Sequence, residues 1–250
     1  MGLTIDLVSD RLGAAAFHAL KADAIPFDHP GLVAEPLDAI VGIVSTPMPS
    51  FKVSLYVARL DAEVVATAFV GLPMMENTHT GHVHVRVARD QRRRGHGGTV
   101  ARYLLDQLRE EGRTQANWHT GSPLEGRSPG EFMSEALGAT PALRSIRREL
   151  RLAELRRDAL EAQLTALLGA AEGYELRAWQ GPCPDELLDG AAEILPRVLT
   201  DSPRGDLDMD DEVWDGARYR EYESMIAARR RTSLATVALE RPTGRLVAYT

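Results

Sequence analysis

Between residues 82 and 112 the hydrophobic pattern changes period. Val83, Val85 and Val87 alternate with His82, His84 and Arg86, the period-two pattern of a strand whose two faces meet different surroundings. From Gly97 onward Val100, Leu104 and Leu108, flanked by Ala101 and Leu105, recur on one face of a helix, and Gly112 is placed to end it. Upstream, the pattern predicts a strand over 4–8, a helix from Asp10 to Leu20, a loop at Phe27 to Gly31 set by Pro26 and Pro30, and a helix over 36–42. Runs at 54–60 and 64–71, parted by Asp61, Ala62 and Glu63, predict a hairpin. Downstream come a strand over 114–119 and a helix opened by Ser128, Pro129 and Glu131 as a capping box and closed by Gly138. A final, imperfectly alternating strand is expected at 140–150.

The remainder has a different organisation. Leu152, Leu155, Leu160, Leu164 and Leu167 or Leu168 form a rough stripe that predicts a helical connector over 151–172. Then the opening pattern returns, with a strand at 174–179, helices at 184–198 and 211–230, and a hairpin at 234–250. Ser54 to Ala58 with Val65-Ala66 corresponds to Ser233 to Ala238 with Val247-Ala248, an internal repeat. These elements divide the chain into units over 1–150 and 173–250, joined by the connector. The second unit has no counterpart of the 82–112 stretch. Its last strand, with Leu246, Val247 and Tyr249, is expected to present an unpaired edge that favours homo-oligomerisation.

The turn Arg92-Arg93-Arg94-Gly95-His96-Gly97-Gly98 stands where the long helix begins. Amides there lack intrahelical partners and the helix dipole favours an anion, while glycine admits close approach. The stretch has neither the Gly-Lys-Ser/Thr of a P-loop nor a G-x-G-x-x-G after a strand. Arg92-x-x-Gly95-x-Gly97 resembles the Q/R-x-x-G-x-G/A signature of the GNAT superfamily of N-acetyltransferases, and the order of elements over 3–150 is similar to that family's. The resemblance implies an α/β fold with a mixed sheet, one complete domain plus the N-terminal half of a second, as in actinobacterial tandem GNAT proteins. It also implies acetyl-CoA as cosubstrate. Val85, Arg86 and Val87 would meet its pantetheine arm, and Arg92, Arg93, Arg94, Gly95, His96, Gly97 and Gly98 its pyrophosphate. A side chain at Gly97 is expected to obstruct that ligand.

Composition narrows the partners. The 250 residues are 44% hydrophobic with a net charge of −7, enough for a sizeable core and against nucleic acid as partner. No run approaches a membrane span, no signal sequence opens the chain, and a cytoplasmic protein is expected. Cys183 is the single cysteine, so neither a disulfide nor a metal site is expected. Asp206, Asp208 and Asp210 have calcium-loop spacing without the glycine and glutamate such a loop needs, and read as a solvated run before a helix.

Acyl transfer to an amine needs a neutral amine, a polarised thioester carbonyl and a proton for the leaving thiolate. Family members use a carboxylate near the motif strand and a tyrosine on the helix after the fifth strand. Here the strand offers His84 and His82, Glu76 stands in the preceding loop, and Ser134 occupies the expected tyrosine position. The function expected from the resemblance is transfer of acetyl to a primary amine of a small molecule or protein. The alternative is a catalytically silent acyl-CoA-binding or scaffold domain.

Overall fold

The computed structural model describes residues 2–197 and 201–250. The chain divides into two compact units, Met1–Thr140 with Glu221–Arg231, and Pro141–Arg220 with Thr232–Thr250. The first division falls ten residues before the expected boundary at 150, because the strand expected at 140–150 does not form. Leu143, Ile146 and Leu150 are spaced three and four apart, not two, and all are exposed. The segment is held instead by a bond from the Asp206 amide to the Ala142 carbonyl at 2.8 Å.

Unit 1 is a mixed five-stranded sheet in the order β1 (Leu3–Leu7), β2 (Phe51–Leu60), β3 (Glu63–Pro73), β4 (Thr80–Val87) and β5 (Gln115–Trp118). Helices α1 (Arg11–Asp28) and α2 (Leu37–Ser45) precede β2, α3 (His96–Glu110) joins β4 to β5, and α4 (Pro129–Ala136) follows. β1 to β4 pair antiparallel, whereas β4 and β5 are parallel, as a crossover through α3 requires. β4 therefore lies inside the sheet.

The alternation along β2 separates two cores, with Tyr56 and Ala58 on one face and Leu55 and Val57 on the other. Val83 and Val85 join Val100, Leu104 and Leu108 of α3 on one face. On the other, Phe17 of α1 and Ile40 of α2 pack on Leu55 and Val57. Gly81 allows α3 to lie close on the sheet, since a Cβ there would stand 2.4 Å from Leu108.

Local chemistry fixes the helix ends. The Asp10 carboxylate accepts from the Gly13 amide at 2.7 Å and opens α1. Ser128 and Glu131 form the capping box before α4, and Gly112 takes a left-handed φ of 74° after α3. α1 differs from expectation by running past Leu20 and through Pro26 to Asp28, into the stretch expected to be a loop. The backbone bond lost at proline is outweighed by burial of Ala24 and Ile25 and by tertiary anchors at the helix end. Those anchors are Arg89, 4.0 Å above the Phe27 ring, and a bidentate Arg92–Asp28 pair.

Unit 2 contains α5 (Arg157–Ala170), β6 (Tyr174–Gln180), α6 (Leu188–Ile194), β7 (Leu234–Glu240), β8 (Leu246–Tyr249) and the first part of α7 (Gly216–Ala228), whose residues from Glu221 count with unit 1. The helix expected over 184–198 begins with a 3-10 turn, Asp185–Leu187, and its last expected residue, Val198, lies outside the described residues. The helix expected over 211–230 is shorter, opening at Gly216 after the acidic run, in which Arg204 pairs with Asp211. The leucines of α5 are exposed.

The repeat read from sequence holds at the level of hydrogen-bonded register. Ala58 pairs with Ile5 and with Ala66, and Ala238 pairs with Leu176 and with Ala248. A bulge follows each of these alanines, between Ala58 and Arg59 and between Ala238 and Leu239. β6-β7-β8 thus repeats β1-β2-β3 around a core of Leu187, Ala191, Tyr219, Val237 and Leu239. Among the described residues no helix is long and apolar enough to cross a membrane.

Candidate functional site

β4 and β5 do not stay together. Thr80, Gly81, His82 and Val83 pair with Gln115, Asn117's neighbour Ala116, Asn117 and Trp118, after which β5 ends while β4 continues to Val87. From His84 to Val87 the β4 backbone is paired to β3 alone, so the edge facing β5 is open to another extended chain. The open stretch leads through the 3-10 turn Arg89–Gln91 to the start of α3.

That start leaves backbone donors without a side-chain cap. Arg93 and Gly95 adopt left-handed φ values of 64° and 89°. Gly95 is the N-cap and supplies no side-chain cap, and the first turn of α3 holds no acidic residue. The amides of His96, Gly97 and Gly98 have no acceptor within the helix. A Cβ at Gly95 would meet nothing within 4 Å, and one at Gly98 would meet only the Arg102 guanidinium, 3.6 Å away. Above Gly95 and Gly98 the nearest side chain is thus the Arg102 guanidinium, itself a cation, and these residues fit a bound pyrophosphate.

The motif residues are not equivalent. Gly97 faces inward, where a Cβ would stand 3.1 Å from Met133 Sδ and 3.2 Å from Val87 Cγ2. Its role is close packing of α3 against β4 and α4, and a side chain there disturbs the fold before it reaches a ligand. His96 turns inward too, with Nε2 buried and lacking a hydrogen-bond partner. Arg93 and Arg94 are exposed beside the open amides. Arg92 is committed elsewhere, donating to both Asp28 carboxylate oxygens at 2.8 Å and from Nε to the Val87 carbonyl at 3.2 Å. It ties the end of β4 to the end of α1.

On the opposite face from α3, β4 presents His82, His84 and Arg86. His82 packs against the Phe51 ring, with centroids 5.9 Å apart, level with the last paired residues of the split. His84 stands just beyond the last pair. Burial, followed by the charges of Arg86, Lys21, His119 and His29, holds its pKa down at about 4, so the ring is neutral near pH 7. His119 directly follows β5, and His29, which follows α1, lies against Gly121. Three elements thus bring imidazoles toward the split. Among the described residues no group of histidines, cysteines or carboxylates is arranged to hold a metal.

The other candidates lie apart. Glu76 sits in the loop before β4, at the strand's paired end. Ser134 donates its hydroxyl to the Gly130 carbonyl at 2.8 Å, within its own helix. Sequence reasoning missed Asp28, Lys21, Glu35, His29 and His119. The alternation that singled out His82 and His84 extends to Arg86 and marks the same face, but its partners on α1 fell in a stretch read as helix end and loop.

Asp28 holds Arg92 and also faces Arg86 at 4.0 Å. Asp28→Asn leaves two largely buried guanidiniums without their carboxylate and is expected to cost about 2 kcal/mol of unit 1 stability, the cost of breaking a buried pair discounted for partial exposure. Urea denaturation measures it, and an unchanged midpoint would show that the pair contributes nothing.

Residues 28–126 match the family described as Acetyltransferase (GNAT) family. The match lies within the first unit, which has the GNAT fold. The family uses acyl-CoA in acyl transfer. Over the whole chain the structure is similar to a tandem GNAT protein from the clavulanic acid biosynthesis pathway, with 20% identity, a TM-score of 0.68 and 73% of that chain covered. At that identity the likeness is one of fold. A ribosomal-protein-alanine N-acetyltransferase from Brucella melitensis biovar Abortus 2308 matches 60% of the chain over its full length, with 18% identity and a TM-score of 0.45. The structure of AAC(6')-Iy in complex with a bisubstrate analog matches 60% of the chain and 99% of its own, with 16% identity and a TM-score of 0.44. No curated protein matches the sequence.

Proposed function

We propose that the first unit is an N-acetyltransferase that takes acetyl from acetyl-CoA and gives it to a primary amine of a small molecule or protein. The observation that carries this reading is the continuity of the open β4 edge, His84 to Val87, with the uncapped amides of α3. The edge pairs a pantetheine-like arm through the backbone of Val85 and the amide of Val87, whose carbonyl is held by Arg92, as an added strand would. The amides from Arg93 to Gly98 receive the pyrophosphate, Arg93 and Arg94 add charge beside it, and Arg92 positions the end of β4.

Bound acetyl-CoA supplies an acetyl group activated as a thioester. The rest falls to the chain. Attack requires an unprotonated amine, and the cations Lys21, Arg86 and Arg92 near the split disfavour an ammonium there. His84, neutral because its pKa is about 4, offers a ring nitrogen that accepts a hydrogen bond from the amine and orients its lone pair. With so low a pKa it aligns the amine better than it stores the proton. His82, packed on Phe51, and Glu76, in the loop before β4, are the remaining base candidates.

One observation favours the silent reading. The hydroxyl of Ser134, where a proton donor to the leaving thiolate is expected, is occupied by the Gly130 carbonyl. Release of coenzyme A thiol across a panel of primary amines separates the two. Release above the amine-free background is expected; tight acetyl-CoA binding with no release from any amine would leave the binding domain.

A further inference from the structure

The face of β4 that carries His84 holds more buried positive charge than the protein neutralises. Lys21, Arg86 and Arg92 are largely buried there, against two carboxylates, Asp28 and Glu35. Glu35 accepts from Lys21 at 2.7 Å and from Arg231 at 2.6 Å, and these bonds and charges keep its pKa low despite burial, which raises it. Both oxygens of Asp28 are taken by Arg92 at 2.8 Å. Among the described residues Arg86 is left with a single 4.0 Å approach to a carboxylate, that of Asp28, although its side chain is only 12% exposed. Burial works against its charge, Asp28 supports it, and Arg92 opposes it. Since a guanidinium stays protonated at any ordinary pH, a buried one without a close counter-ion is costly unless something else supplies the anion.

The position of Arg86 says what that anion belongs to. It lies two residues beyond His84 on the same face, about 7 Å along the strand, beside the open edge. The ends of α1 and β5 bring His29 and His119 toward the same region. An acceptor whose amine lies by His84 places a second group within reach of Arg86. We infer that Arg86 anchors a carboxylate carried by the amine acceptor, so that the substrate class is a small amino acid, bound by a bidentate guanidinium–carboxylate pair with its amine toward His84. This rests on the N-acetyltransferase reading and names the substrate of that site.

The test pairs α- and ω-amino acids with their amides, and adds simple carboxylates without an amine, using the full chain. Coenzyme A release is expected to favour each acid over its amide by roughly tenfold or more in kcat/KM. Arg86→Met is expected to bring the ratio near one with the KM for acetyl-CoA unchanged, and Arg86→Lys, which keeps the charge but not the fork, to restore part of it. Equal use of acids and amides by the native protein, or an undiminished ratio in Arg86→Met, overturns the inference.

A second readout separates this failure from that of the proposed function. In coenzyme A-loaded protein, a carboxylate against Arg86 offsets positive charge near His84, so N-acetyl amino acids, which carry the carboxylate without an ammonium, should raise the His84 pKa from about 4 in nuclear magnetic resonance titrations and their amides should not. If no amine is acetylated, a rise with acids alone still supports the anchor, and no rise overturns it. A rise with simple carboxylates such as acetate equal to that with N-acetyl amino acids reduces the site to general anion binding and overturns the assignment of substrate.

Discussion

A glutamate in place of Gly98 is expected to abolish acetyl-CoA binding while leaving the fold intact. A Cβ at Gly98 would meet only the movable end of Arg102, at 3.6 Å, so the side chain has room. An acidic residue in the first turn of a helix stabilises it by about 0.5 kcal/mol, and replacing glycine with a better helix former adds up to about 1 kcal/mol. The melting temperature should therefore hold or rise. The same carboxylate stands where the uncapped amides of α3 would receive phosphate, so it occupies the amides and repels the ligand. Affinity is expected to fall by roughly a hundredfold or more, read by calorimetry. Gly97→Glu is a poorer test, because its Cβ would stand 3.2 Å from Val87 Cγ2 and it loses stability along with affinity. Wild-type affinity in Gly98→Glu would remove the pyrophosphate cradle from α3.

The features legible in the sequence are those set by local chemistry. A left-handed φ at Gly95 and Gly112, the capping box at Ser128 and the alternation of β4 each follow from a few neighbouring residues. The repeat was legible for a related reason, since the pair Val57-Ala58 and its copy Val237-Ala238 precede the same bulge. Where the reading failed, a distant partner decided. α1 passes through Pro26 because Arg89 and Arg92, more than sixty residues on, hold Phe27 and Asp28. Residues 140–150 alternate only imperfectly, and the spacing of Leu143, Ile146 and Leu150 offers no single face to a sheet. Gly42 passed without notice, yet a Cβ there would stand 1.9 Å from the Ala228 carbonyl oxygen, a neighbour no local pattern reveals.

The candidate site divides along the same line. Its backbone half, the open edge and the glycine turn, was visible as a pattern of residue types. Its side-chain half was not, because the roles of Arg86 and Arg92 depend on which one Asp28 satisfies. Arg92 matches the family signature by type, but its bidentate pair makes it a brace between α1 and β4. Arg86, noticed in the sequence only as part of the strand backbone, is left with the weaker contact and hence with capacity for a ligand.

Stability of the first unit is expected to carry the signature of His84 as the pH falls. In the unfolded chain its imidazole takes a proton near the ordinary value of 6.5, whereas in the folded protein burial and the surrounding cations delay protonation to about 4. Above pH 6.5 both states are neutral and His84 adds no pH dependence. Between 6.5 and 4 the unfolded chain binds a proton that the folded chain does not, so stability is lost progressively, reaching ~3 kcal/mol and levelling below pH 4. Glu35, whose carboxyl is held below its ordinary value, also contributes to the loss of stability in acid, which makes the informative quantity a difference. His84→Gln removes the histidine contribution and keeps a polar side chain of similar reach. Urea denaturation of both proteins at intervals from pH 7.5 to 4 should show the variant gaining on the native protein as the solution is acidified, with the divergence starting near pH 6.5. Parallel curves would mean that His84 titrates normally, and with that its neutral, lone-pair-orienting role beside the split would be lost.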